Sequence, residues 1–144
     1  MKKLYSGLAF LLLLAGSAFA APPDAQAPKI QPFPKTLNNA RYVYVTSYDG
    51  GQFNINLLPE DRQAISAVQD AIQRWGHYIV VYQRDQADMI LAVQSRPSED
   101  VLAVYDARLK GSSYLWRAMG RDGLQQGETP LMTQLQKAVE QASK

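Results

Sequence analysis

The chain contains no cysteine and a single histidine, His77, among its 144 residues. Without cysteine there is no disulfide framework, no thiol chemistry and no cysteine-based zinc site, and one histidine cannot make a histidine-rich metal centre. The chain also lacks an excess of either charge. It carries 15 Lys+Arg against 13 Asp+Glu, a formal net charge of +2, and is 47% apolar. That basic bias is too slight for a nucleic-acid footprint, and the composition is too apolar for a disordered chain. No Gly-x-Ser-x-Gly elbow, His-Glu-x-x-His pair or Gly-x-x-x-x-Gly-Lys-Ser/Thr loop occurs. Those are the local signatures of serine hydrolases, zinc proteases and nucleotide-binding loops. The expectation is a non-catalytic protein with no cofactor and no metal ion. The apolar run from Leu8 to Ala15 also falls far short of the ~20 residues needed to span a bilayer.

That short run reads instead as the core of a signal peptide. Lys2 and Lys3 precede it and Ala18-Phe19-Ala20 follows it, which places cleavage before Ala21. No cysteine follows to carry a lipid. Residues 1–20 are therefore expected to be removed, leaving the protein periplasmic or secreted with no stable membrane insertion. Without Lys2 and Lys3, 13 basic residues balance 13 acidic ones, so the mature chain is formally neutral. Attraction to nucleic acid or an anionic membrane then has no support. Residues 21–40 hold five of the eight prolines, Pro22, Pro23, Pro28, Pro32 and Pro34. Proline fixes φ and removes a donor, so this stretch is expected to be a flexible tether. It is either a plain spacer or a ligand anchored by Pro32-Phe33-Pro34 in a partner's groove.

Residues 41–144 are long enough for one core. Arg41 to Tyr48 alternates valine with tyrosine and threonine and reads as a strand. Asp49-Gly50-Gly51 breaks it. Pro59 suits a first helical turn, with Glu60 and Asp61 beside the positive end of the dipole. Apolar residues at Ile65, Val68, Ile72 and Trp75 give that helix one buried face, and Gly76 stands where a left-handed cap is needed. Strands are expected over His77–Gln83, Ala87–Gln94, Val101–Arg108 and Ser113–Met119, the last two as a hairpin around Lys110-Gly111-Ser112. Thr129-Pro130 can open a second helix bearing Leu131, Leu135, Ala138 and Val139. The order is β-α-β-β-β-β-α. The first β-α-β unit should be a parallel crossover, and the short later connections should give antiparallel neighbours. The fold class is α+β, a two-layer sandwich with a mixed sheet and two helices on one face.

Such a sandwich leaves one sheet face without helices. If Val43, Val45, Ile79 and Val81 face the helices, alternation puts Tyr42, Tyr44, Tyr78 and Tyr82 on the other face, where Tyr105 or Trp116 can join them. Tyrosine and tryptophan concentrate in interface hot spots, so this face is a candidate docking or self-association surface. The plainer reading is that tyrosine suits a half-exposed strand. Arg117 and Arg121, the latter in Gly120-Arg121-Asp122-Gly123, are candidates for anion or ligand contact, set against a simple connector before the last helix. Asp49 to Glu60 has the length of a calcium loop but puts Gly51 and Phe53 where oxygen ligands belong. It reads better as a βα loop. His77 follows a helix cap and reads as structural.

Several segments together carry a resemblance. They are Leu58-Pro59-Glu60-Asp61-Arg62-Gln63-Ala64, Gln73-Arg74-Trp75-Gly76-His77-Tyr78, Gln86-Ala87-Asp88-Met89-Ile90-Leu91, Leu102-Ala103-Val104-Tyr105-Asp106-Ala107-Arg108 and Leu115-Trp116-Arg117. Through them the chain resembles a family of small exported bacterial proteins without assigned function, over most of residues 41–144. More loosely, the pair Tyr105–Arg108 and Leu115–Arg117 looks like one in α+β envelope lipoproteins and in the amino-terminal domain of the Tol-system propeller protein. The resemblance implies a module working through protein contacts in the envelope, either with an envelope protein or as a homo-oligomer. It transfers no catalytic residue. The alternative is a small-molecule or glycan binder using the tyrosines with Arg117 or Arg121, sugars stacking on aromatic rings.

Overall fold

The computed structural model describes residues 29–144. The expected leader and cleavage site, and the first part of the proline-rich stretch, lie outside the described residues. A five-stranded mixed sheet carries two helices on one face. Strand β1 is Tyr42–Ser47, β2 Ile79–Val81, β3 Met89–Ser95, β4 Asp100–Asp106 and β5 Trp116–Gly120; helix α1 is Pro59–Trp75 and α2 Pro130–Ala142. The spatial order is β2-β1-β3-β4-β5. β1 pairs in parallel with both β2 and β3, while β3–β4 and β4–β5 are antiparallel. The α+β sandwich and its element order are those read from the sequence.

The local signals at α1 act as expected. Pro59 takes the first helical position, and Gly76 adopts φ 74°, donating its N–H to Ile72 C=O at 3.0 Å. At α2, Thr129 occupies the cap position but its side chain makes no capping bond; Pro130 alone pre-sets the first turn. The core is a single layer between sheet and helices. Val43, Val45, Met89, Leu91, Val93, Leu102, Val104, Trp116 and Ala118 meet Ile65, Val68 and Ile72 of α1 and Leu131, Leu135 and Val139 of α2.

Three expectations are corrected. First, β3 is not an antiparallel neighbour of β2; both flank β1 in parallel. A short connection suffices because β2 stops after three residues, with Val81 level with Tyr44 and Met89 level with Val43. The chain needs almost no return along the strand axis. Second, no tight hairpin turn joins β4 and β5. Residues 107–115 form a long loop, because the register begins only at Val104↔Trp116. Third, the part of the proline-rich stretch that the structure describes is packed. Phe33 is 4% exposed and Leu37 is buried in the same core, while a 3₁₀ turn spans Lys35–Leu37. Pro32-Phe33-Pro34 is thus an anchor into the protein's own core, and the domain begins about ten residues before Arg41. Gln31 holds this segment along β5. Its C=O accepts from Trp116 Nε1 at 2.8 Å, and its side-chain oxygen from Arg117 N–H at 3.2 Å.

Carboxylates tie the segments together. Asp88 accepts from the N–H groups of Arg41 and Tyr42 at 2.9 and 3.1 Å, fixing the start of β1. These bonds hold its carboxyl below the usual range. Asp106 and Arg108 pair locally at 2.8 Å, rather than across the β4–β5 ladder with Arg117. The guanidinium lowers the Asp106 pKa.

Candidate functional site

The site lies on the helix-free face of the sheet and follows from the register. The tiers Tyr44–Ile90–Tyr105 and Thr46–Ala92–Ala103–Arg117 run side by side across β1, β3, β4 and β5. Tyr48, two residues past Thr46, continues the same face. This surface is not the bare aromatic sheet that alternation implied. Ile90, Ala92, Val101 and Ala103 are buried, Ala103 completely. The small side chain of Ala92, between Thr46 and the fully covered Ala103, leaves a depression that the flanking phenols and loops wall in.

The result is a cleft of about 250 Å³. Ile90, Ala92, Thr46 and Tyr105 form its floor, with Tyr48 and Arg84 on one side and Leu109, Gly111 and Ser112 of the β4–β5 loop on the other. Arg84 comes from the β2–β3 connection, so that connection passes β1 on the helix-free side. Burial pushes the Tyr48 phenol up to about 12, with the adjacent Tyr105 phenol adding to the rise and Arg117 opposing it. Tyr48 therefore stays a neutral hydrogen-bonding group throughout the physiological range. Farther along the same face, on and before β5, the Arg117 guanidinium lies 5.5 Å from the centre of the Tyr114 ring, a cation–π contact that braces both side chains.

Of the residues picked from the sequence, Tyr42 and Tyr44 lie on this face. Tyr44 points its hydroxyl at Gly51, where an added Cβ would stand 2.6 Å from it. Tyr78 does not lie there. It is 5% exposed, belongs to the core, and burial raises its pKa to about 12. The cause is the phase of β2. Ile79 is level with the outward Tyr42, so Ile79 faces out and is 57% exposed. A one-residue change of phase swaps every side chain of a strand. Tyr78 instead closes the end of α1, edge-on to Trp75 at 5.3 Å and to His77 at 4.6 Å, while His77 stacks on Trp75 at 5.0 Å. Trp116 is also absent from the face. It is 1% exposed and packs on the helix side. Tyr82 is exposed just beyond β2.

Arg117 is on the face, but Arg121 is four residues along, past the end of β5, about 13 Å away by strand rise. The two arginines do not converge. Arg121 and Asp122 are exposed, while the loop after them packs inward. Asp122 takes φ 54°, Leu124 N–H donates to buried Asp100 at 2.9 Å, and Gly123 is pressed against Leu131.

Sequence reasoning missed Tyr48 and Arg84, which reach the cleft from loops, Tyr114, which packs on Arg117, and a clasp at the far end of the sheet. Asp61 is fully buried, accepting from Ser95 N–H at 2.8 Å and Arg96 Nη1 at 2.9 Å, and Arg96 bridges on to Asp49 at 2.9 Å. The clasp fastens the Asp49–Leu58 loop to the end of β3. Only the position of Asp61 in the first helical turn hinted at a polar role. Among the described residues no group of three or more His, Cys, Asp or Glu side chains could hold a metal ion, and no helix is long and apolar enough to cross a membrane.

No protein-family model matches the chain, and the searches of curated proteins and of solved structures give no match either.

Proposed function

We propose that this protein is an exported, non-catalytic binding module of the bacterial envelope, and that it docks another protein on the helix-free face of its sheet. The observation that carries the reading is the aromatic-rimmed cleft. Tyr48, Tyr105 and Arg84 line a hollow of about 250 Å³, and the Arg117–Tyr114 pair lies on the same face beyond it. That is small for a drug-sized ligand, but suits one anchoring side chain of a partner. Around it Tyr42, Tyr48, Tyr114 and Met119 expose large apolar area, the composition of an interface hot spot and its rim. Export rests on the leader pattern of residues 1–20 and on the resemblance to small exported proteins.

A second reading, a glycan or small-molecule site, draws on the Arg117–Tyr114 pair and the phenol floor of the same cleft. Affinity capture from native envelopes separates the two. The wild type and a Tyr48→Ser/Tyr114→Ser double variant are compared, with Asp70→Ser on the exposed face of α1 as control. A partner held by the wild type and the control but lost from the double variant is expected. Equal recovery by all three contradicts docking on this face. Saturable binding of sugars without a protein partner favours the second reading.

A further inference from the structure

The two edges of the sheet are treated differently. At the β5 edge, Gln31 caps the Arg117 backbone N–H, and the Arg117 side chain adds a charge. Chain cover, edge charges and very short edge strands are how proteins prevent unwanted strand pairing. The β2 edge has neither cover nor charge, and only its length of three residues limits pairing there. β2 is the terminal strand, and the segment His77-Tyr78-Ile79-Val80-Val81-Tyr82-Gln83 holds no charged side chain, proline or glycine.

The backbone of β2 is set for a further strand. Ile79 N–H donates to Arg41 C=O at 2.8 Å. In a parallel ladder alternate residues turn their groups to the neighbour, so Ile79 and Val81 serve β1 while Val80 directs its N–H and C=O outward. The side chains on either side of Val80 are nearly palindromic, Tyr78-Ile79-Val80-Val81-Tyr82. In a twofold antiparallel pair centred on Val80 each residue then meets a near-equivalent side chain of the other copy, apolar against apolar and phenol against phenol.

We infer that two copies of this chain associate edge to edge through β2, antiparallel, with the twofold axis at Val80. The two Val80 residues exchange a reciprocal pair of N–H···O=C bonds. Ile79, 57% exposed in the single chain, packs against Val81 of the second copy on the helix-free face, twice over. Tyr78 stands opposite Tyr82. No charged side chain lies between His77 and Gln83, so the pairing sets no like charges against each other. The axis runs perpendicular to the sheet, which becomes continuous through both copies and presents both aromatic clefts on the same side. This pairing is independent of what the cleft binds.

Sedimentation velocity of the purified protein tests it. At about 100 μM, where a contact of micromolar affinity is saturated, the wild type should sediment as a dimer. Ile79→Lys introduces like charge on an exposed side chain without touching the core. Val80→Pro deletes the outward donor while leaving the bonds to β1 intact. Each should weaken the dimer by about tenfold or more with an unchanged circular dichroism spectrum. A wild-type monomer at this concentration, a stoichiometry other than two, or a dimer indifferent to Ile79→Lys would overturn the inference.

Discussion

Phe33→Ala measures whether the proline-rich segment belongs to the domain. Phe33 is 4% exposed and sits in the main core with Leu37 and Trp116. Truncating a buried phenylalanine removes its transfer free energy and leaves a cavity, about 3–5 kcal/mol together. A domain of this size has roughly 5–15 kcal/mol in all, so one side chain lying before the expected domain boundary would carry a large share of the stability. Thermal unfolding followed by circular dichroism should show a fall in Tm of about 10–20 °C. Urea unfolding should show a lower midpoint at unchanged slope, since the surface exposed on unfolding barely changes. Pro32→Ala is the control, because Pro32 is exposed and surface changes usually stay within about 0.5 kcal/mol. A Phe33→Ala protein as stable as that control would refute the claim that the segment is part of the core.

Gly123→Ala should destabilise by about 1–3 kcal/mol through overpacking, because its Cβ would stand 2.5 Å from Cγ of the buried Leu131; a urea midpoint measures this. In acid, Asp88 and Asp106 have folded pKa values below the ordinary carboxylate value. Their contribution is complete above the unfolded pKa near 3.9 and is lost as the pH falls through the folded values. Asp88→Asn should therefore flatten the loss of stability below about pH 4, read from urea midpoints at a series of pH values. At the alkaline end, the Tyr48 and Tyr78 phenols ionise at about 12 instead of 10. Their contribution is complete below pH 10 and is lost as the pH rises through about 12. Tyrosinate absorbance should show two late-titrating phenols, one of which disappears in Tyr48→Phe.

What the sequence made legible was local. Pro59 and Gly76 bound α1 because a helix start and a left-handed cap are each specified by one residue. The valine and tyrosine alternation placed β1 correctly for the same reason. The phase of β2 was not legible, because Tyr78, Ile79, Val80 and Val81 all suit either face, and only pairing with Tyr42 and packing under Trp75 decide it. Phe33 was hidden among prolines whose average character is that of a linker, although one aromatic side chain with a core to fill overrides that average. The Asp61–Arg96–Asp49 clasp joins positions far apart in the chain, and no spacing rule reveals it. The same holds for the cleft, which owes Tyr48, Arg84 and Ser112 to loops while the strands supply only its floor.

The central claim is that the helix-free face binds a partner protein. Site-specific photocrosslinking in the native envelope tests it most directly. A photoreactive amino acid is placed at exposed Tyr114 beside Arg117 or at exposed Met119 on β5, and, for comparison, at exposed Asp70 on α1. Discrete crosslinks from positions 114 and 119, with none from position 70, are the predicted result. Crosslinks from position 70 alone, or none from the face at any position, would contradict it.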